Sequence, residues 1–279
     1  MHSPLPIDAP APQPNPAGRA AHVVASIVSH GHGSLILELL EQLQTRAEPC
    51  LRCVIVTLNI DEPELAHQLQ QRSPSSFDLL VIQNTAPKGF GSNHNQAFAR
   101  YAEGKPAADS ATHVCILNPD LRLLDAAPLT ALCDALNDPA AGLAYPTLVG
   151  SDGQRQDNER ELPSFSKLLL RRVFKRTEQR VDWVSGACMV LRAPDWQQLG
   201  GFNEQFHMYC EDVDLSLRVR RGIGVLARAN TTLAHAAQRA SRRQWRHLLW
   251  HLRSLWLLWH LPSFRWAKRH PSASQRSAL

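Results

Sequence analysis

The sequence predicts an α/β fold built on a mainly parallel sheet flanked by helices. Two observations predict it: short apolar runs alternate with helical stripes over residues 22–120, and several of the runs stop at a polar residue. His22–Ser29 (HVVASIVS) is a buried strand, followed by Gly31, Gly33 and a helical stripe of Leu35, Leu39, Leu40 and Leu43. Cys53–Leu58 (CVIVTL) is the second strand, Glu62–Gln71 the second helix and Asp78–Gln83 (DLLVIQ) the third strand. Pro87–Asn95 (PKGFGSNHN) opens a helix through Ala97–Tyr101, and His113–Leu117 is a fourth strand running into Asn118-Pro119-Asp120. Open sheets of this kind bind ligands beyond the carboxyl ends of their strands. Ser29, Asn59, Asn84 and Asp120 all fall there, so these polar residues are expected to converge on one crevice.

Chemistry concentrates in three stretches. PKGFGSNHN brings backbone amides to a helix start, which suits phosphate or base contacts through Gly89, Phe90, Gly91 and Asn95; an ordinary loop with Asn as a helix cap is the competing reading. Asn118-Pro119-Asp120 ends an apolar strand on a carboxylate, the oxygen ligand a hard cation bridging a diphosphate would want; a simple turn is the alternative. Residues 206–218 (FHMYCEDVDLSLR) crowd Glu211, Asp212 and Asp214 between apolar flanks. Buried carboxylates are costly unless they meet a cation or a proton-transfer role, and acids in a helix's first turn also suit its dipole. The helix so begun is expected to end at Gly222. Between these stretches, Trp183–Leu191 (WVSGACMVL) reads as an apolar strand with room for a substrate beside Gly186. Trp183 offers a ring face to an acceptor sugar, and Arg160 is a further candidate for donor or acceptor oxygens.

Composition bounds the rest. A chain of 279 residues can bury a full core as one large domain or a domain with an appendage. Residues 1–20 hold six prolines and no continuous apolar core of the kind secretion needs, so they are expected to be a disordered leader, matched by a disordered tail at 271–279. A cytoplasmic protein follows from this, and its six cysteines read as small core residues; the single CxxC, Cys50 and Cys53, is weak evidence for zinc or redox chemistry. The net charge of +5 conceals strong polarity, because thirteen Lys or Arg and no Asp or Glu follow Asp214. Over 242–270, Trp245, Leu248, Leu249, Leu252, Leu255, Trp256 and Trp259 recur at helical spacing among Arg and Lys. This basic helical appendage suits an anionic membrane surface, equally a stripe packed on the main domain; its apolar run Leu255–Trp259 is too short to span a bilayer. Nucleic-acid binding is not expected, since no helix-turn-helix, zinc-finger or RNA-binding signature occurs.

In this order, the SHG at the first strand end, PKGFGSNHNQAF, LNPDL, WVSGACMVLR, GGFNEQFHMYCEDVDLSLRVRRG and then His235 resemble the family 2 glycosyltransferases of GT-A fold, especially the rhamnosyltransferase-like branch. The resemblance implies a Rossmann-like, mixed but mainly parallel sheet over 21–241. It implies donor contacts from Ser29, Asn59, Asn84, Gly89, Phe90, Gly91, Asn95, Asn118 and Asp120, and acceptor contacts from Trp183, Gly186 and Asp214. Asp120 and His235 would hold a divalent cation, Mg²⁺ or Mn²⁺, on the donor diphosphate. Asp212 would be the catalytic base with Glu211 beside it. The family often has an aspartate where this chain has Asn118. The activity implied is inverting transfer of a sugar, rhamnose from dTDP-rhamnose, to a saccharide or lipid-linked saccharide of a bacterial surface polysaccharide, at the inner face of the cytoplasmic membrane. A nucleotidyltransferase of nucleotide-sugar synthesis would be expected to carry a basic glycine-rich loop where this chain has Ser29-His30-Gly31-His32-Gly33, and a non-catalytic nucleotide-sugar-binding protein is the remaining alternative.

Overall fold

The computed structural model describes residues 20–103, 110–163, 180–236 and 245–273, with backbone alone at 245–248. The leader up to residue 19 and the tail from 274 lie outside the described residues. In chain order the elements are β1 (Val23–Ser29), α1 (Gly33–Arg46), β2 (Leu51–Leu58), α2 (Pro63–Gln70), β3 (Asp78–Gln83), α3 (Phe90–Ala102), β4 (His113–Leu117), β5 (Leu121–Leu123), α4 (Pro128–Ala135), β6 (Ala141–Val149), β7 (Glu159–Arg160), β8 (Trp183–Val184), β9 (Cys188–Arg192), α5 (Ala193–Leu199), α6 (Glu211–Gly222), β10 (Val225–His235), α7 (Trp245–His260) and α8 (Pro262–Arg269).

Eight strands form one sheet in the order β3-β2-β1-β4-β9-β6-β10-β5, and β7 pairs with β8 in a separate ribbon. The pairs β1/β2, β2/β3, β1/β4 and β6/β10 are parallel, whereas β9 runs antiparallel to β4 and β6, and β5 antiparallel to β10. The central strands are apolar on both faces because helices cover both. Alternation along β1 sends Val23, Ala25 and Ile27 into one core with Ile36, Leu39, Leu40 and Leu43 of α1, and Val24 into another with Ala97, Phe98, Trp196, Leu215 and Val219. Each Val, Leu, Ile or Phe among them taken fully from water contributes about 2 kcal/mol. A third cluster joins Phe206, Val213 and Leu217 to Leu255, Leu258, Phe264 and Ala267, so the C-terminal helices pack directly on α6.

The expected strands at the front of the chain are present, and α6 ends at Gly222 as anticipated. The expected strand Trp183–Leu191 is instead two pieces, because its small residues turn the chain: Ser185 N–H donates to Asn158 O (3.0 Å) on the ribbon side, and Asn118 N–H to Ala187 O (2.8 Å) on the main sheet. All six cysteines are buried and free.

Candidate functional site

A cavity of about 460 Å³ opens at the carboxyl ends of β4 and β10, between the main sheet, the β7–β8 ribbon, the start of α6 and the inner face of α7. Asn118, Phe90 and His235 contribute from the sheet side, Arg160, Trp183 and Gly186 from the ribbon and its turn, and Glu211 and Asp212 from α6. Residues far apart in sequence are thus brought together.

β5 returns antiparallel along the end of β10, pairing Leu121 with His235 and setting Asp120 beside it. Asp120 Oδ1 lies 3.3 Å from His235 Nε2. Gln156 Nε2 donates to the His235 carbonyl at 2.7 Å, so its Oε1, 3.0 Å from His235 Nδ1, accepts the ring proton there. In the neutral imidazole Nε2 is then an unprotonated acceptor facing a carboxylate oxygen, an arrangement that a shared cation or proton resolves. Among the described residues no cluster of three or more His, Cys, Asp or Glu could hold a metal. Two protein ligands nevertheless fit a hard cation whose remaining sites are filled by phosphates and water.

Tyr209 (φ 72°) and Cys210 (φ 68°) are consecutive non-glycine residues in the left-handed region, immediately before Glu211 and Asp212. Each such conformation costs on the order of 1–3 kcal/mol and persists only where neighbours fix it. Here Ser254 Oγ donates to Met208 O (2.9 Å), the Tyr209 ring meets His251 edge-on at 5.2 Å, and Asp214 N–H donates to Cys210 O (2.9 Å). The kink turns the first residues of α6 into the cavity. Asp212 is held by two backbone donors, Gly186 N–H to Oδ2 (3.1 Å) and Val213 N–H to Oδ1 (2.8 Å). Burial raises its pKa, outweighing these hydrogen bonds. Glu211 is 6 % exposed, its Oε2 has no partner, and burial together with the Asp212 charge pushes its pKa up to about 8. At neutral pH Glu211 is therefore the protonated, neutral acid beside Asp212.

Several expected residues do other work. Asn59 and Asn84, both buried, tie the loop after β3: Asn84 Nδ2 donates to Asn59 Oδ1 (3.0 Å) and Asn93 Oδ1 (2.7 Å), while Asn59 Oδ1 accepts Lys88 N–H (2.8 Å) and its Nδ2 donates to Lys88 O (3.0 Å). Ser29 Oγ donates to Glu62 Oε2 (2.9 Å). All three sit at strand ends as expected but do not line the cavity. Gly89 and Gly91 are small for packing rather than ligand access: a Cβ would come within 2.5 Å of His207 O at Gly89 and 2.6 Å of Phe202 Cβ at Gly91. Asn95 is a correction, because both ends of its amide are committed to the loop after α5: Oδ1 accepts Phe202 N–H (2.8 Å), and Nδ2 donates to Phe202 O (2.9 Å) and Glu204 Oε1 (2.8 Å). Asp214 is a second correction. One turn along α6 from Cys210, it is 1 % exposed and bonded to Arg218 Nε (2.7 Å) and Ser263 Oγ (2.7 Å), facing the C-terminal helices instead of an acceptor.

Sequence reasoning missed Glu161, Leu162, Met208, Tyr209, His251 and Leu255, all of which line the cavity. The signal for His251 was available, since it lies one helical turn before Leu255 on the stripe already recognised; the others carry no local mark of function. Arg160 does reach the cavity, with its guanidinium 5.7 Å from the Trp183 ring centroid.

No protein-family model matches the chain. It is 27% identical over 232 residues, 71% of this chain and 74% of the relative, to N-acetylglucosaminyl-diphospho-decaprenol L-rhamnosyltransferase of Mycobacterium tuberculosis. Over 209 residues, 69% of this chain and 75% of the relative, it is 29% identical to rhamnosyltransferase WbbL of Escherichia coli. Among solved structures, a mannosyltransferase from Pyrobaculum calidifontis in complex with GDP-Man and Mn²⁺ superposes with a TM-score of 0.56 at 17% identity, covering 99% of this chain and 80% of that one. S. aureus TarS 1–349 in complex with UDP gives 0.55 at 14% identity, covering 77% of this chain and 60% of that one. The mixed sheet matches these folds, and the sequence likeness extends over most of the chain. The chain is a glycosyltransferase with the GT-A fold, and its sequence is similar to rhamnosyltransferases.

Proposed function

We propose that the chain is an inverting, metal-dependent transferase that moves rhamnose from dTDP-rhamnose to a hydroxyl of a saccharide or lipid-linked saccharide in bacterial surface polysaccharide synthesis. The observation that carries this reading is the meeting, in one cavity, of His235, whose Nε2 lies 3.3 Å from Asp120 Oδ1 just outside the lining, with Asp212 presented from a different element. The relatives' names support the sugar, and the M. tuberculosis relative is named for a diphospho-decaprenol substrate.

In the reaction, the acceptor oxygen forms a bond to the anomeric carbon while the bond from that carbon to the diphosphate oxygen breaks, and the acceptor proton passes to Asp212. The Gly186 and Val213 amides fix the direction of the Asp212 carboxylate, and its raised proton affinity suits a general base. Glu211, neutral, adds no second charge beside it. A divalent cation on Asp120 and His235 would offset the charge that develops on the leaving diphosphate. The Trp183 ring, steadied by Arg160 and by its own Nε1 donating to Glu161 O (2.9 Å), offers a flat face to the acceptor sugar. With a lipid-linked acceptor, this work would be done at the inner face of the cytoplasmic membrane.

The test is turnover of a nucleotide-sugar panel with Mg²⁺, Mn²⁺ or EDTA, on wild type and Asp120→Ala in parallel. Turnover of dTDP-rhamnose that vanishes with EDTA and with the substitution is expected. Turnover that survives both would refute the metal role, and turnover of a different sugar would replace the donor.

A further inference from the structure

α7 is apolar on two opposite faces. At 100° per residue, Ser254, Leu255 and Leu258 share the side buried on α6, and His251 on that side joins Leu255 in the cavity wall. Leu249, Leu252 and Trp256 fall within about 60° of one another on the opposite side. They are 54 %, 54 % and 63 % exposed. Arg253 and His260 flank this stripe, both exposed, and Arg265, Lys268 and Arg269 are exposed on the adjoining α8.

The helices are not loosely attached. Ser263 bonds buried Asp214, Ser272 N–H and Oγ donate to Asp182 Oδ1 (3.0 and 2.9 Å), and Arg220 Nη1 lies 3.1 Å from that same carboxylate oxygen. The outer stripe is therefore held in a fixed orientation to the cavity.

We infer that the outer face of α7, Leu249, Leu252 and Trp256 with Arg253 and the basic face of α8, docks on an anionic lipid bilayer. Charge selects this occupant, since no Asp or Glu follows Asp214 while cations border the apolar stripe. Shape agrees: a helix presenting Leu and Trp outward with Arg and Lys beside them lies in the headgroup plane. A second copy of the chain fits less well, because three partly exposed side chains offer a few hundred Å², well below the roughly 800 Å² per partner of a stable complex. Docked this way, one helix touches lipid with one face and walls the cavity with the other, so a lipid-borne acceptor reaches Asp212 without leaving the surface. That consequence rests on the acceptor proposed above; the docking surface does not, and its test uses neither donor nor acceptor.

The test is co-sedimentation of the full chain with phosphatidylglycerol/phosphatidylcholine vesicles, against pure phosphatidylcholine, at low and high salt. Wild type is expected to bind the anionic vesicles and to be released by salt. The triple variant Leu249→Ser/Leu252→Ser/Trp256→Ser should bind about tenfold or more weakly at an unchanged melting temperature, through loss of buried apolar area. Trp256→Cys carrying an environment-sensitive dye should shift to the blue with the same vesicles; the six native cysteines are buried. Wild type that stays in the supernatant, a triple variant that sediments as wild type does, or a dye that does not respond would each overturn the inference. A dimer lost in the triple variant, without vesicle binding, would assign the face to a second copy instead.

Discussion

Glu211→Gln should stabilise the protein at alkaline pH and leave it nearly unchanged in acid. The Glu211 carboxyl is buried, has an oxygen without a partner, and is held at a pKa of about 8 against a reference of 4.5. A raised folded-state value means that the native protein binds more protons than the unfolded chain between those limits. The stability contributed by the neutral acid is full below pH 4.5 and is lost as pH rises through about 8. For a single group the loss reaches about 3 kcal/mol by pH 7 and about 5 kcal/mol by pH 9. Gln reproduces the shape of the neutral acid and does not titrate, while Asp212 remains in both proteins, so the difference between them isolates Glu211. The assay is the urea midpoint of wild type and Glu211→Gln across pH 5–9. The stability gap should open steadily in favour of the variant, and a gap that is flat or that closes with pH would refute the assignment of a neutral, desolvated Glu211.

Transfer activity should fall on the acid side as Asp212, whose pKa is raised by burial, takes up its proton; a kcat/KM profile that is flat below neutrality would exclude it as the base. Asn95→Ala should cost about 1–3 kcal/mol in denaturant unfolding, because Phe202 N–H and C=O lose their partners, with the KM for the donor unchanged. A large KM effect at wild-type stability would restore Asn95 to the donor site. Asp214→Ala should destabilise by about 3–5 kcal/mol, since Arg218 and Ser263 lose a buried carboxylate, as read in thermal and urea melts. Gly91→Ala should destabilise by about 1–3 kcal/mol through the clash with Phe202, again without a selective effect on donor binding.

Much of the fold was legible because parallel strands covered on both faces write themselves as apolar runs. β3 and β4 begin and end where the runs do. The strand-end rule put Asp120 just beyond β4, and the pairing of Leu121 with His235 explains why Asp120 and His235, 115 positions apart, meet. What misled was the assumption that a polar or small residue at a strand end faces a ligand. Asn59 and Asn95 satisfy backbone groups in loops, and Asn84 ties the Asn59 and Asn93 side chains, demands invisible in a one-dimensional pattern. Gly89 and Gly91 are small because the 202–207 segment crosses them, a contact more than a hundred residues distant. Asp214 was grouped with Asp212 by adjacency, yet two residues along a helix is about 200° of rotation, which turns one carboxylate to the cavity and the other to the C-terminal helices.

That rotation makes α6 the element on which the two ends of the argument join. Its first turn carries Glu211 and Asp212 into the cavity, and its opposite side, through Asp214 and Leu217, anchors the helices that supply His251 and Leu255 to the same wall. The left-handed pair Tyr209 and Cys210 sits between them and is braced by Ser254 and His251 of α7. Removing the C-terminal helices would therefore release the strained turn that aims Asp212, as well as expose Phe206, Val213 and Leu217. Their basic, tryptophan-rich sequence suggested an appendage, but their contacts make them part of the wall that presents the proposed base.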